Sequence, residues 1–259
     1  MIDSHCHLAG EKFTEDLEAV VARAQAAGLE RVMTILEAGD PVEAEQAARL
    51  ERLWPACRVA IGVHPHSAGS FADAPQRAAD YVQEQISTTD SARAVGEIGL
   101  DYHYDYAPRD VQQEVFRAQV QLARSIGMPI VIHTREADED TLAILREEGP
   151  GPLTGVFHCF SGTPALARAA LDLGFYLSFS GIVTFNRAEQ LRAIAQMAPL
   201  DRLLVETDSP FLAPIPHRGK RNEPALVSHV VETLATLHQV SPREVAEQTT
   251  ANFHRLFVP

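Results

Sequence analysis

The sequence predicts an α/β protein built as a (β/α)8 TIM barrel, and three observations support this fold class. Eight short apolar segments alternate with longer amphipathic segments along the whole chain. The chain has 259 residues, close to the roughly 250 that one such barrel needs. The first apolar segment leads directly into His5-Cys6-His7. An open doubly wound sheet, the alternative, would typically carry a glycine-rich phosphate turn at that point.

Strands are predicted where short runs are rich in Val, Ile, Leu and Phe. Their nearly continuous apolar character is typical of parallel strands that are covered on both faces. The eight segments are MIDSH (1–5), RVMTILEA (31–38), RVAIGVH (58–64), ARAVGEIGL (92–100), PIVIHT (129–134), LTGVFHC (153–159), FYLSFSG (175–181) and RLLVETD (202–208).

Helices are predicted where apolar residues recur every three or four positions. The clearest is 109–127, which ends on a glycine, as helices often do. The same periodicity predicts helices over 15–28, 225–239 and 242–256. Because no Pro-, Gly- or Ser-rich linker, low-complexity tract or sequence repeat interrupts the alternation, we expect residues 1–259 to form a single domain.

Composition narrows the class of protein. The formal net charge of −13 argues against wrapping of nucleic acid through a broad basic surface. A nucleic-acid substrate remains compatible with this charge, since bound cations can reverse the local field. Three cysteines are not a disulfide framework and fit a reducing compartment. With neither a signal-peptide pattern nor a bilayer-length apolar run, we expect a cytoplasmic protein with no membrane association and no obligate protein partner.

The first candidate site residues are two histidines at the end of the first predicted strand. His5 and His7 are two positions apart, so strand geometry directs both side chains to one face, with Cα atoms about 6–7 Å apart. In a barrel that face is the mouth, and the two imidazoles can converge on one cation. An isolated HxH pattern is a weak signal, because two ordinary polar side chains produce it more often than a metal pair does.

Repetition strengthens the signal. Glu97, His133, His158 and Asp208 each lie at or near the C-terminal end of another predicted strand, and His64 ends the third. That edge is where barrel enzymes carry their catalytic residues. Turn formation alone would more often place Gly, Ser, Asn or Asp there. The pattern therefore predicts a metal site at the mouth of the barrel.

Charge and ligand number favour two cations over one. Glu97 and Asp208, buried together, would raise each other's pKa unless cations intervened. Six ligands also exceed what one tetrahedral ion with an open position can use. Two divalent ions that share Glu97 satisfy both constraints and give a positive pocket suited to an anionic substrate such as a phosphodiester. Four histidines suit Zn²⁺, Mn²⁺ or Co²⁺ better than Mg²⁺, which prefers oxygen ligands.

Two further groups of residues could contact substrate. The segment PHRGKRNEP (216–224) contains Arg218 and Arg221; it follows the eighth predicted strand, where barrels often bind phosphate, although it could also be a solvated turn. Candidates for base stacking or for ordinary packing are Tyr102, Tyr104, Tyr106 and Phe160. Cys6 and Cys159 are expected to face away from the mouth by strand alternation.

Eight stretches together resemble the TatD family of metal-dependent hydrolases, a branch of the amidohydrolase superfamily. They run in order along the whole chain, and their combination is highly specific. The matching stretches are DSHCHL (3–8), GVHPH (62–66), GEIGLDYH (96–103), PIVIHTREA (129–137), FHCFSG (157–162), LVETDSPFL (204–212), PHRGKRNEP (216–224) and ANFHRLF (251–257). Ala9 departs from the family, which often has an acidic residue after HCHL.

The resemblance implies a magnesium-dependent deoxyribonuclease, often a 3′→5′ exonuclease. It assigns one metal to His5, His7, Glu97 and Asp208, and a second to Glu97, His133 and His158. It also places His64 near the substrate, which would be DNA, single-stranded or at a 3′ end.

The reaction expected from these residues is hydrolysis by a metal-activated water. Asp208 is a candidate to accept the proton of that water, or serves only as a ligand, and Glu97 is the second catalytic candidate. Two other functions remain open: hydrolysis of a small amide, lactone or aminoacyl ester at the same site, and a binding module that holds metal or nucleic acid without turnover.

Overall fold

A computed structural model describes residues 1–104, 106–148 and 153–257. Its core is one parallel eight-stranded sheet in which each strand neighbours the next in chain order. The strands are β1 (Ile2–Cys6), β2 (Arg31–Glu37), β3 (Arg58–Gly62), β4 (Ala92–Asp101), β5 (Ile130–Arg135), β6 (Gly155–Phe157), β7 (Tyr176–Phe179) and β8 (Leu203–Val205).

Helices connect successive strands. They are α1 (Leu17–Ala26), α2 (Pro41–Leu53), α3 (Gln76–Ser87), α4 (Arg109–Ile126), α5 (Asp138–Glu147), α6 (Pro164–Asp172), α7 (Glu189–Met197), α8 (Val227–His238) and α9 (Pro242–Phe257). Strands alternating with helices in a parallel sheet of eight confirm the predicted (β/α)8 barrel. The helices predicted over 15–28, 109–127, 225–239 and 242–256 correspond to α1, α4, α8 and α9.

All eight predicted strands are present, but several are shorter than predicted. The third ends at Gly62, the sixth at Phe157 and the eighth at Val205, so the polar residues predicted to close them lie just beyond the regular ladder. The backbone turns there: Cys159 has a φ of 42°, which is incompatible with extended strand geometry. The candidate site residues therefore lie partly on strands and partly on the first residues of the loops that follow them.

The closure of the barrel between β1 and the segment after β8 rests on a buried acid. Asp3 accepts hydrogen bonds from the backbone nitrogen of Thr207 at 2.9 Å and from its hydroxyl at 2.5 Å. Beyond it, the backbone nitrogen of Asp208 donates to the carbonyl of His5, and that of His7 to the carbonyl of Ser209. These bonds fix two candidate ligands of β1 beside one that follows β8.

The barrel interior is packed and closed at its N-terminal end. Strand residues such as Met33 and Ile35 point inward and join a buried cluster that includes Phe253 and Phe257 of α9. The larger apolar layer lies between the sheet and the surrounding helices. The packed interior leaves the opposite end, where the strands terminate, as the place for a site. Within the described residues, no helix is both long and apolar enough to cross a membrane.

Phe253→Ala tests the importance of the interior packing. The ring is 1% exposed, so its removal leaves a cavity, and we expect the free energy of unfolding to fall by about 3–5 kcal/mol. Urea denaturation followed by far-UV circular dichroism measures the change. The matched control is Met197→Ala on α7, where the side chain is 42% exposed and the expected change is within about 0.5 kcal/mol. Equal losses for the two variants would contradict the packing assignment.

Candidate metal centre

An open cavity of about 860 Å³ lies at the C-terminal ends of the strands. Its wall includes every candidate ligand predicted from the sequence except His5, which is fully buried behind it. These lining residues are His7, Glu97, His133, His158 and Asp208, together with His64. The structure thus brings together side chains that are more than 200 positions apart in the chain.

Glu97 lies at the centre of the cluster and its two oxygens face different histidines. Oε2 is 3.3 Å from Nε2 of His5. Oε1 is 2.7 Å from Nε2 of His158, 2.8 Å from Nδ1 of His133 and 3.3 Å from Nε2 of His64. A carboxylate with one oxygen on each of two imidazole groups has the arrangement needed to bridge two cations.

One side of Glu97 carries the group predicted for the first metal. Ligand atoms of His5, His7 and Glu97 all lie within 4.8 Å of one another. Asp208 Oδ1 is next to them, 3.4 Å from Nε2 of His7 and 3.8 Å from Nε2 of His5. All four residues expected at this metal from the family resemblance therefore meet in space.

The other side differs in one member from the expected set. Ligand atoms of His64, Glu97 and His133 lie within 4.8 Å of one another, so His64, expected only near substrate, lies at ligand distance. His158 also approaches from this side, with its Nε2 3.5 Å from Nδ1 of His133, but its ligand atoms form a separate compact group with His5 and Glu206.

Unsatisfied donors indicate that the residues fit divalent cations. Neither ring nitrogen of His5 has a hydrogen-bond partner within the described chain, although both atoms are buried. A buried imidazole without partners is costly, and a cation beside Nε2 removes part of that cost. Imidazole nitrogens and carboxylate oxygens are the usual ligands of Zn²⁺ and Mn²⁺.

Electrostatics places negative charge on Glu97. Its burial opposes ionisation, but the nearby His158 and His64 and the hydrogen bond from His133 outweigh that effect and hold the pKa of the carboxyl well below its usual range. Burial also lowers the pKa of the His64 imidazole to about 4 and lowers that of His5. A neutral imidazole and an ionised carboxylate are the forms that ligate metal.

The glycines around Glu97 allow its strand to come close to β5. The register between β4 and β5 shifts between Gly96 and Ile98, which leaves Glu97 outside the regular pairing. A Cβ atom on Gly96 would lie 2.5 Å from the Cβ of Val131, and one on Gly99, with a φ of 145°, would overlap the carbonyl oxygen of His133. The GEIG sequence is therefore required by this close approach.

Two carboxylates that the sequence analysis did not single out support the histidines. Glu206 accepts a hydrogen bond from the backbone nitrogen of Cys159 at 2.7 Å, and its Oε1 is 3.3 Å from Nδ1 of His158. Asp101 Oδ2 lies 3.1 Å from Nε2 of His133 and 2.9 Å from Nε2 of His66. Metal-binding histidines commonly pair their second nitrogen with a carboxylate. The sequence signal available for such a supporting role was an acidic residue a few positions from a predicted ligand.

The two arginines predicted to bind substrate lie outside the cavity wall. Arg221 forms a bidentate pair with Asp16, with nitrogen–oxygen distances of 2.9 and 2.6 Å, and donates to the carbonyl of Lys12. The Arg218 guanidinium lies 3.8 Å from the ring centre of Phe185. Both guanidiniums thus have intramolecular contacts, and their role in substrate binding stays a prediction.

The structure separates the four aromatic candidates into two pairs. Phe160 is buried, and the hydroxyl of Tyr102 is hydrogen-bonded to Asp140 at 2.6 Å. Tyr104 and Tyr106 are exposed and line the cavity. The expectation that Cys159 faces away from the mouth is wrong: it lines the cavity, because the chain has already left β6 at that point and strand alternation no longer applies.

The chain is similar to known proteins along its whole length. The model of the TatD related DNase family matches residues 2–258. The chain belongs to the TatD family. A TatD-family relative from Bacillus subtilis, the "uncharacterized metal-dependent hydrolase YabD", is 42% identical over 257 residues and covers 99% of this chain and 98% of its own length.

A second relative carries a more specific name. The "3'-5' ssDNA/RNA exonuclease TatD" of Salmonella typhimurium is 33% identical over 265 residues, covering 99% of this chain and 98% of its own. The solved structure of the TatD homologue YJJV from Escherichia coli has a TM-score of 0.88 at 29% identity, covering 100% of this chain and 98% of that one. This chain is therefore a metal-dependent hydrolase of the TatD family.

Glu206→Gln tests the support of His158. The substitution removes the negative charge beside Nδ1, so we expect metal affinity to fall about 10- to 100-fold. Isothermal titration of chelator-treated protein with Mn²⁺ or Zn²⁺ measures it. The control is Glu189→Gln, whose side chain is 77% exposed and which should leave affinity unchanged. An unaltered dissociation constant in Glu206→Gln would show that this carboxylate does not support the site.

Metal binding should also stabilise the fold. A divalent ion at 100 times its dissociation constant contributes about 2.7 kcal/mol per site, which corresponds to a rise in Tm of roughly 5–10 °C for a chain of this size. Thermal melts of chelator-treated protein with and without added ion measure the rise. We expect Glu97→Ala to abolish it and the exposed Glu232→Gln to retain it. A full rise in Glu97→Ala would place metal binding elsewhere.

Proposed function

We propose that this TatD-family hydrolase cleaves phosphodiester bonds of DNA, as a 3′→5′ exodeoxyribonuclease that uses two divalent metal ions. The observation that carries the proposal is the position of Glu97, whose two oxygens face two separate imidazole groups in an open cavity. Two ions held a few ångströms apart suit the in-line displacement at phosphorus that many nucleases and phosphatases perform.

Each residue has a defined task in this proposal. His5, His7 and Asp208 would hold one ion, and His133 would hold the other, assisted by His158 and by His64. Bound ions lower the pKa of a water molecule and stabilise negative charge on the phosphoryl oxygens. Glu97 lies between the two groups of histidines and would contribute an oxygen to each ion.

Asp208 is the candidate to orient the attacking water and accept its proton. Its side chain is 14% exposed at the cavity wall and lies 3.4 Å from His7, so it can contact both the metal group and a molecule in the cavity. Its φ of 55° is a conformation that Asp tolerates better than most residues, and it aims the carboxylate back toward β1. In this proposal Asp208 is either a metal ligand alone or also the proton acceptor.

The substrate class follows from charge and from one relative. The chain carries a net charge of −13, and Glu37 and Glu43 also line the cavity, so a polyanion needs the bound cations to enter. The Salmonella relative is named as a 3'-5' ssDNA/RNA exonuclease. That name supports a single-stranded nucleic acid as substrate, degraded from its 3′ end. Mg²⁺, Mn²⁺ and Zn²⁺ are the ions to test, and the imidazole-rich set of ligands favours the last two.

The test is cleavage of 5′-labelled single-stranded DNA by protein reconstituted with each ion, resolved on a sequencing gel. We expect products shortened stepwise from the 3′ end. Glu97→Gln should lower kcat/KM by at least about 100-fold, because a bound metal contributes several kcal/mol to the transition state. A chelator should have the same effect, whereas Glu232→Gln should retain activity.

Parallel assays test the alternative substrates. They use RNA, duplex DNA and a panel of amides, lactones and aminoacyl esters. Metal-loaded protein that turns over a member of the ester and amide panel but leaves every oligonucleotide intact would overturn it. Unchanged DNA cleavage in Glu97→Gln would assign the nuclease activity to a contaminant.

A further inference from the structure

Exposed aromatic rings are concentrated at the mouth of the cavity. Eight large hydrophobic side chains are exposed among the described residues. Three of these, Tyr104, Tyr106 and Phe211, line the one cavity that contains the metal cluster. Tyr106 is the most exposed of the eight, at 65%. Apolar surface in contact with water is unfavourable, so its concentration around a site indicates a ligand that covers it.

The rings of Tyr104 and Tyr106 are stacked, and a cation lies near the ring of Tyr104. Their rings are 5.3 Å apart with an interplanar angle of 23°. The Arg135 guanidinium lies 4.9 Å from the ring centre of Tyr104. Tyr106 lines the cavity and is mostly exposed, so the stacked pair offers ring surface that a ligand in the cavity can cover.

The stack is held in place next to the metal cluster. Asp101 accepts hydrogen bonds from the backbone nitrogens of His103 and Tyr104 at 2.9 and 3.1 Å, which fixes the start of the loop. His66 packs edge-on against both tyrosines and lies 4.3 Å from His64, measured between ring centres. One imidazole therefore separates the stack from a candidate metal ligand.

We propose that Tyr104 and Tyr106 are a stacking platform for a nucleobase of the substrate, adjacent to the phosphodiester held by the metal cluster. This inference rests on the proposed function and adds a determinant of specificity to it. Every base has a flat π-face that can extend such a stack, and stacking on an aromatic side chain does not depend on base identity. A terminal base has one free face that can lie on Tyr106, and the flexible backbone of a single-stranded end lets that base turn toward the platform.

The charge of Arg135 agrees with a nucleotide as occupant. This side chain is exposed and, within the described chain, no carboxylate lies within ion-pair distance of its guanidinium. A cation beside a stacking ring is the combination that single-stranded nucleic-acid sites use to hold base and backbone together. Phe211, whose ring is 6.1 Å from that of His7, lies on the other side of the metal cluster and is outside the platform.

The experiment compares two oligonucleotides that differ only at the 3′-terminal nucleotide, one with its base and one abasic. Loss of stacking of one base corresponds to about a 5- to 150-fold loss. For Tyr106→Leu we expect that loss in kcat/KM on the intact oligonucleotide, mainly through KM, and little change on the abasic one. Tyr106→Phe keeps the ring and should behave like the wild type.

Tyr81→Leu is the matched control. Tyr81 is also an exposed tyrosine, at 42%, with a guanidinium near its ring, that of Arg77 at 5.8 Å, but it lies on α3, away from the cavity wall. We expect it to cleave both oligonucleotides normally. Equal cleavage of the two oligonucleotides by the wild type, or an equal loss on both in Tyr106→Leu, overturns the platform.

A binding measurement separates this inference from the proposed function. Fluorescence anisotropy with the same two oligonucleotides, protected from hydrolysis by terminal phosphorothioate linkages, reports base stacking without turnover. If the metal-loaded wild type cleaves no phosphodiester, the proposed function fails. The platform is then upheld by weaker binding of Tyr106→Leu to the intact oligonucleotide alone, and overturned if the base makes no difference.

Discussion

The candidate site depends on one buried carboxylate that four imidazoles approach. Glu97 is 5% exposed, and His5, His64, His133 and His158 all lie within 3.3 Å of its oxygens. A buried charge is tolerated only when it is compensated, and here the compensation comes from groups that are themselves candidate metal ligands. The need to hold Glu97 ionised and shared between two sides therefore constrains the surrounding strands.

Much of the barrel mouth can be understood as support for that arrangement. Gly96 and Gly99 let β4 approach β5 closely enough for Glu97 and His133 to meet. Asp3 holds β1 against the segment after β8, so that His5 and Asp208 are joined through their backbones. Residues that never touch a substrate thus decide the positions of those that could.

Because the chain is acidic, bound cations would also be needed to attract the substrate. Carboxyl groups such as those of Glu37 and Glu43 lie in the cavity wall and offer no attraction to a polyanion. In the function proposed here, bound ions create the attraction for phosphate while the aromatic rim contacts the base. Removal of the metal would then abolish both substrate binding and catalysis, because both depend on the same ions.

Several features of this protein could be predicted from short segments of the sequence. Apolar patterning predicted all eight strands, because burial on both faces of a parallel sheet leaves a continuous signal in each segment. His5, His7, Glu97, His133, His158 and Asp208 could be singled out because the ends of parallel strands meet at one edge of a barrel, whatever the details of packing. The resemblance to TatD hydrolases could also be detected from the sequence, since the matching stretches are short and contiguous.

Side-chain geometry could not be predicted in this way, because it depends on where each strand stops and on neighbours distant in sequence. Cys159 was placed wrongly because β6 ends two residues earlier than its apolar run. Arg221, predicted to contact substrate, is paired with Asp16, which lies more than 200 residues away in the chain. The supporting acids Glu206 and Asp101 and the stacked pair Tyr104 and Tyr106 are likewise defined by contacts between loops. The sequence by itself determined the barrel and the chemical type of its site. The tertiary structure decided how Glu97 divides its oxygens and which polar groups are already paired, because both depend on distances between strands that only folding sets.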